Sequence, residues 1–141
     1  MKARSLSFIF ICLAAHSGAG DFVLQTGGGP PGSVQFEVIV KEAQITVTRS
    51  GSPMTQSGPT KTLTSKNLTP NVTEQLLKLA AASTDFQEGC NGVPDGTNAT
   101  LIISGKKTAE CVGAASWPKG PKTTEFLKAI NANLPKDFQV Y

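Results

Sequence analysis

The sequence predicts an α+β domain, an antiparallel β-sheet with two helices packed on it. Three observations predict it. Several runs alternate apolar and polar residues with a period of two and are joined by short connectors. Two further segments carry apolar residues at helical spacing, each opened by a proline. The order is strands, helix, strands, helix, which places the helices against an antiparallel sheet. At 141 residues the chain has room for one such domain.

The N-terminal segment reads as a leader. Lys2 and Arg4 are followed by an apolar run, Leu6, Phe8, Ile9, Phe10, Ile11, Cys12, Leu13, Ala14 and Ala15, and then by the small residues Ser17, Gly18, Ala19 and Gly20. Charge, apolar core and small residues in that order mark a secretory signal peptide. The run is too short to cross a membrane, which takes about twenty apolar residues. Ile11 stands before Cys12 where a lipoprotein signal has a small residue, so lipidation is not expected. Cleavage after Ala19 divides the chain into a signal peptide at 1–19 and a single exported domain at 20–141.

Within that domain, Phe22 to Gln25 forms a first strand and Thr26 to Gly32 a dense turn segment. Val34, Phe36, Val38 and Val40 alternate with Gln35, Glu37 and Ile39 in a second, half-buried strand. Gln44 to Arg49 alternates again, with Ile45 and Val47 on one face, and the short connection Lys41 to Ala43 makes these two a hairpin. Ser50 to Pro59 is loop, and Thr60 to Ser65 is a strand at an edge of the sheet. Thr69 caps the first helix and Pro70 opens it. Val72, Leu76, Leu79, Ala80 and Ser83 give that helix an apolar side, Leu77 widens it, and the pattern ends near Thr84. Phe86 folds back onto the core. After a loop from Glu88 to Gly96, Ala99 to Ser104 and Lys107 to Val112 form a hairpin around Gly105. Gly113 to Gly120 is loop. Pro121 opens a second helix, whose Phe126, Leu127, Ile130 and Leu134 face inward before Pro135 stops it.

Composition narrows the chemistry. The formal charge is +3 from 13 basic and 10 acidic residues. Lys2 and Arg4 leave with the signal, so the exported domain is nearly neutral. Nucleic acid and anionic membrane are therefore not expected as main partners. Of three cysteines, Cys12 lies in the leader, which leaves Cys90 and Cys111. In an oxidising compartment an even pair is most simply a disulfide, worth about 3 kcal/mol in the chain-entropy account for a loop of this length. The alternatives are a metal site or a nucleophile. Zinc usually takes four ligands, and the one histidine, His16, also lies in the leader. Without histidine, the domain lacks Ser-His-Asp, Cys-His and histidine-zinc chemistry. Its acids are scattered, and no pair stands out as a glycosidase couple. No catalytic residue, metal or cofactor is expected, and the domain reads as a binder, not an enzyme.

Two segments qualify as contact surfaces. Gly27, Gly28, Gly29, Pro30, Pro31 and Gly32 form a turn stiffened by two prolines, and a strand follows it, so it lacks the helix start of a phosphate-cradling loop. Ser104 to Thr108 lacks the earlier glycine of a nucleotide loop, with Thr100 in its place. Trp117, in Ser116 to Gly120, belongs to the residue type enriched at binding hot spots, although a single Trp near a disulfide more often seals a core. Asn67, Asn71 and Asn98 head Asn-X-Thr sequons; their glycosylation depends on the host, and they read as incidental.

The strand Phe22 to Gln25, the turn Gly27-Gly28-Gly29 with Gly32 and the strand from Val34 resemble the opening of the emfourin-like proteins, small inhibitors of thermolysin-type metalloproteases. The similarity continues through the helix Pro70 to Ser83 with Phe86, the Asp95-Gly96 turn before a strand and the final proline-initiated helix. It spans most of the exported domain as an order of elements, carried by short motifs. The chain departs from the pattern in its leader, its Cys90 and Cys111 pair, its Ser50 to Pro59 loop and in Gln25-Thr26 at the end of the first strand. The resemblance implies inhibition of a thermolysin-type metalloprotease. Taken with the leader and the missing catalytic chemistry, the chain reads as a secreted or periplasmic binder that occludes a protease cleft, with Gly27, Gly28, Gly29, Pro30, Pro31, Gly32 and Trp117 as candidate contact residues. The alternative is a non-inhibitory envelope or extracellular structural protein.

Overall fold

A computed structural model describes residues 20–29, 33–51 and 61–140. The expected signal peptide, Pro30, Pro31 and Gly32 in the glycine-rich turn, and residues 52–60 lie outside the described residues. The strands are β1 (Phe22–Gly28), β2 (Gln35–Lys41), β3 (Gln44–Ser50), β4 (Lys61–Asn67), β5 (Thr97–Ile103) and β6 (Lys106–Ala114). Helix α1 (Pro70–Ala82) follows β4, and α2 (Pro121–Asn131) follows β6. The six strands form one sheet in the order β4-β3-β2-β1-β5-β6, antiparallel at every neighbour. The α+β architecture is therefore as expected, and β4 is the edge strand its sequence predicted.

Strand alternation divides the sheet into two faces. Phe22, Leu24, Val38, Val40, Ile45, Val47 and Leu101 turn toward the helices and are fully buried. Val23, Gln25, Glu37, Ile39, Thr48, Thr100 and Ile102 turn to the opposite face. No described helix packs there. The helices close the first face with Leu76 and Ala80 from α1 and Phe126, Leu127 and Ile130 from α2. Phe22 and Phe126 meet edge to face at 5.3 Å. Each such buried ring contributes about 1.5–3 kcal/mol by leaving water. Phe86 is buried in the same core, as its sequence position predicted. A short 3₁₀ turn, Lys136–Phe138, carries the C-terminal segment back over the helix side of the sheet, and Val140 N–H donates to Asn131 Oδ1 at 2.7 Å.

Several boundaries differ from the expectation. The first strand does not end at Gln25 but runs through Thr26 and Gly27 to Gly28. It is a central strand, paired on both sides, with Thr26 opposite Phe36 and Ala99, and Gly28 opposite Thr97. Two ladders supply backbone partners that outweigh the local turn preference of glycine. The second strand starts at Gln35, and the late hairpin is longer than expected at both ends. In α1 the buried positions are Thr73, Leu76 and Ala80, while Val72, Leu77 and Leu79 are only partly buried. Thr73 can occupy the inner stripe because its hydroxyl donates to Thr69 O at 3.0 Å. That helix ends at Ala82, and the Ser83 hydroxyl donates to Leu79 O at 2.8 Å. The second helix ends at Asn131, before Pro135 is reached, with Asn133 Nδ2 donating to Ala129 O at 2.9 Å. Leu134 stays buried beyond the helix end.

Candidate functional site

The chain reverses direction at each strand, so its connections sort to two ends of the sheet. At one end lie the two-residue turns Glu42-Ala43 and Ser104-Gly105 and the Leu68-Thr69 entry to α1. At the other lie the connections α1 to β5 and β6 to α2, the end of β1 with Gly29, and the end of β3. The glycine-rich turn and Trp117, which the sequence could not place relative to one another, therefore share an end. Register gives the spacing between them: Gly28 stands opposite Thr97, and Thr97 opposite Ala114, shortly before Trp117.

This end is held together by cross-links between its connections. Cys90 and Cys111 form a disulfide with Cα atoms 5.3 Å apart. The segment after Cys90 runs along the outer edge of β6, where Gly92 N–H donates to Val112 O at 3.0 Å and Val93 N–H to Gly113 O at 2.8 Å. Gly96 N–H then donates to Val93 O at 3.0 Å, and Gly96 O accepts from Gly29 N–H at 2.9 Å. A chain of short contacts thus runs from the disulfide to the base of the glycine-rich turn. Gly28 and Gly29 take φ of 70° and 88°, a region side chains disfavour, and a Cβ at Gly28 would press against Gly96 O. Gly27 differs, because a Cβ there would meet nothing within 4 Å.

Asp85 ties a second connection to the same end. Helix α2 starts at Pro121, and its N-cap Gly120 offers no side-chain cap. Asp85 takes that role from the loop after α1, its Oδ1 accepting from Thr123 N–H at 2.9 Å and from the Thr123 hydroxyl at 2.7 Å, and its Oδ2 from Lys122 N–H at 2.8 Å. Burial works to raise the carboxyl's pKa, but the hydrogen bonds from Thr123 and from the Lys122 and Thr123 amides outweigh it, and the group titrates below the usual aspartate range. Sequence reading missed this residue. The available signal was a helix start with glycine at the cap, which leaves its amide donors to be met from elsewhere.

Trp117 is half-buried, with its ring edge to face against Phe86 at 5.1 Å and its Nε1–H donating to Phe86 O at 3.0 Å. It seals the core beneath the loops and still reaches the surface. Of the sequons, Thr69 accepts from Val72 N–H as the helix cap, Thr73 is buried, and Asn98 Oδ1 accepts from Gly113 N–H.

A polar groove of about 380 Å³ opens from this end onto the helix-free face of the sheet, with Gly27 in its floor and Gln25, Glu37, Thr48, Asn98 and Thr100 among its walls. Gln25 Nε2 donates to Glu37 Oε2 at 2.8 Å. Sequence reading did not single out this groove. Alternation put Glu37 and Thr48 opposite the apolar side of their strands, but only the strand order places all of these residues together. Among the described residues, no three of His, Cys, Asp and Glu gather into a group that could hold a metal ion. The disulfide is chemistry of an oxidising compartment, and no described helix is long and apolar enough to cross a membrane. No family model, curated protein or solved structure matches the chain.

Proposed function

We propose that the chain is an exported, secreted or periplasmic, protein-binding domain that inhibits a protease by occluding its cleft with the glycine-rich turn. The observation that carries this reading is the continuous brace from the Cys90–Cys111 disulfide through Gly96 O to Gly29 N–H. A turn braced at its base loses less conformational entropy when a partner closes on it. Such bracing suits occlusion. The absence of histidine from residues 20–141 supports binding over histidine-based catalysis. The resemblance to emfourin-like inhibitors supplies the protease class, thermolysin-type metalloproteases, and the leader supplies the export route.

The test is titration of purified protein against a thermolysin-type metalloprotease and a serine protease. Reversible inhibition of the metalloprotease is expected, with the inhibitor left intact and with no relief by added zinc. The contact is located by deleting Pro30 and Pro31, which should weaken inhibition. Bulky replacements at Gly28 or Gly29 are unsuitable for this purpose, because their positive φ would strain the fold itself. No effect on either protease, with an envelope protein co-purifying, would replace this reading by that of a non-inhibitory structural component.

A further inference from the structure

The face of the sheet that the helices leave open carries an ordered pattern of side chains. One cross-strand row is apolar: Ile39 stands opposite Val23, and Val23 opposite Ile102. These three β-branched residues lie side by side on adjacent strands, each half-buried though no described helix covers them. The next row toward the glycine-rich turn is polar, with Thr48, Glu37, Gln25 and Thr100 opposite one another in turn. Glu37 is half-buried in the wall of the groove, and the Gln25 amide fixes its orientation. The two ion pairs among the described residues are Glu74–Lys78 and Lys107–Glu110, and Glu37 belongs to neither.

A carboxylate in a groove whose described lining holds no cation, beside a strip of apolar surface, is complementary to a side chain that ends in a cation and carries an aliphatic stem. We infer that the open face is a receptor site for an arginine side chain presented by an extended segment of the partner protein. The guanidinium donates to Glu37, and its stem lies along Val23, Ile39 and Ile102. Arginine fits better than lysine because its planar fork has five donors. Acceptors flank Glu37, namely the hydroxyl of Thr48 on one side and the amide oxygen of Gln25 on the other, whose nitrogen is already engaged, and the Thr100 hydroxyl lies beyond Gln25 in the same row. One carboxylate among neutral oxygens is too few for a divalent metal. This inference rests on the reading of the chain as a protein-binding domain, and it adds the chemistry that the partner must show.

The experiment titrates protein purified from expression of the full-length chain with an acetylated pentapeptide of threonines around a central arginine, followed by two-dimensional amide NMR. The matched peptide carries citrulline, which keeps the shape and loses the charge. Saturable shifts are expected at Val23, Gln25, Glu37, Ile39, Thr100 and Ile102, with citrulline binding at least about tenfold weaker. Glu37→Gln keeps a partner for Gln25 and should weaken the arginine peptide by a similar factor while leaving distant amides unshifted. The citrulline comparison needs no variant, so a misfolded Glu37→Gln would not blunt the test. Equal binding of the two peptides, shifts centred on another surface, or no shifts at all would overturn the inference. Mapped arginine binding without protease inhibition would sink the inhibitory reading and keep this one. Protease inhibition without mapped arginine binding would do the reverse.

Discussion

The two ends of the sheet solve the same problem, reversing the chain, by opposite means. At the tight end, Glu42, Ala43, Ser104 and Gly105 all have positive φ, between 50° and 76°, and each pair makes a two-residue turn whose twist suits the strands it joins. Backbone conformation alone sets the register there, with Lys41 opposite Gln44 and Ile103 opposite Lys106. At the other end the described connections, α1 to β5 and β6 to α2, are long and irregular, and their positions depend on ties between segments distant in sequence. The Cys90–Cys111 bond, the Asp85 cap on α2 and the Trp117 Nε1–H bond to Phe86 O are the main ones. Short turns fix register locally and leave no surface to vary. Long loops held by cross-links can present a surface without loosening the sheet, which is where binding segments are expected.

The largest expected effect comes from removing the covalent tie. Replacing both Cys90 and Cys111 with Ala should lower stability by about 2–4 kcal/mol in urea unfolding. Hydrogen exchange should show the Gly92 and Val93 amides losing protection first, while the Ser104-Gly105 hairpin keeps its own. A loss spread evenly over both ends would mean that the disulfide stabilises the domain without specifically bracing the loops.

A smaller effect is expected from the polar tie. Asp85→Ala should cost about 1–2 kcal/mol, since it removes the cap of α2 and the negative charge at that helix start. Asp85→Asn should cost less. The carboxyl titrates lower in the folded chain than in the unfolded one, so its contribution is fully present above the unfolded value of about 3.9 and is lost as pH falls through the folded value. The gap in stability between the wild type and Asp85→Asn should therefore be constant near neutrality and shrink on acidification below that value. A gap that persisted unchanged into strong acid would show that packing, not charge, makes the difference.

The smallest effect belongs to the tight end. Glu42 and Ala43 hold a left-handed conformation that suits asparagine and glycine better. Glu42→Asn combined with Ala43→Gly should raise stability by about 0.5–1 kcal/mol, seen as a higher Tm, because relieved strain outweighs the extra freedom of glycine when unfolded. An unchanged or lower Tm would show that this turn is not where backbone conformation limits the fold.

Local pattern was enough for much of the architecture. Alternation in Val34 to Val40 and in Gln44 to Arg49 gave the first hairpin, Thr69-Pro70 marked the start of α1, and Pro121 that of α2. These features depend on residues within one turn or one strand of each other, which is the range over which a sequence states its own structure. The two cysteines could be paired by count once one was assigned to the leader, and the structure joins them.

What lay beyond local range needed the tertiary structure. Thr26 to Gly28 is strand because β2 and β5 flank it, and nothing within a few residues says that two partners will arrive. The cap of α2 comes from Asp85, far back in the chain, because helix starts need acceptors but do not specify which segment brings them. Trp117 and the glycine-rich turn share an end because every strand runs antiparallel to its neighbours, and Glu37 faces Gln25 beside the Ile39, Val23 and Ile102 row because β1 lies between β2 and β5. Strand order is set by which apolar faces bury together over long separations. Alternation records which side of a strand is apolar but carries no label for the neighbour it will meet.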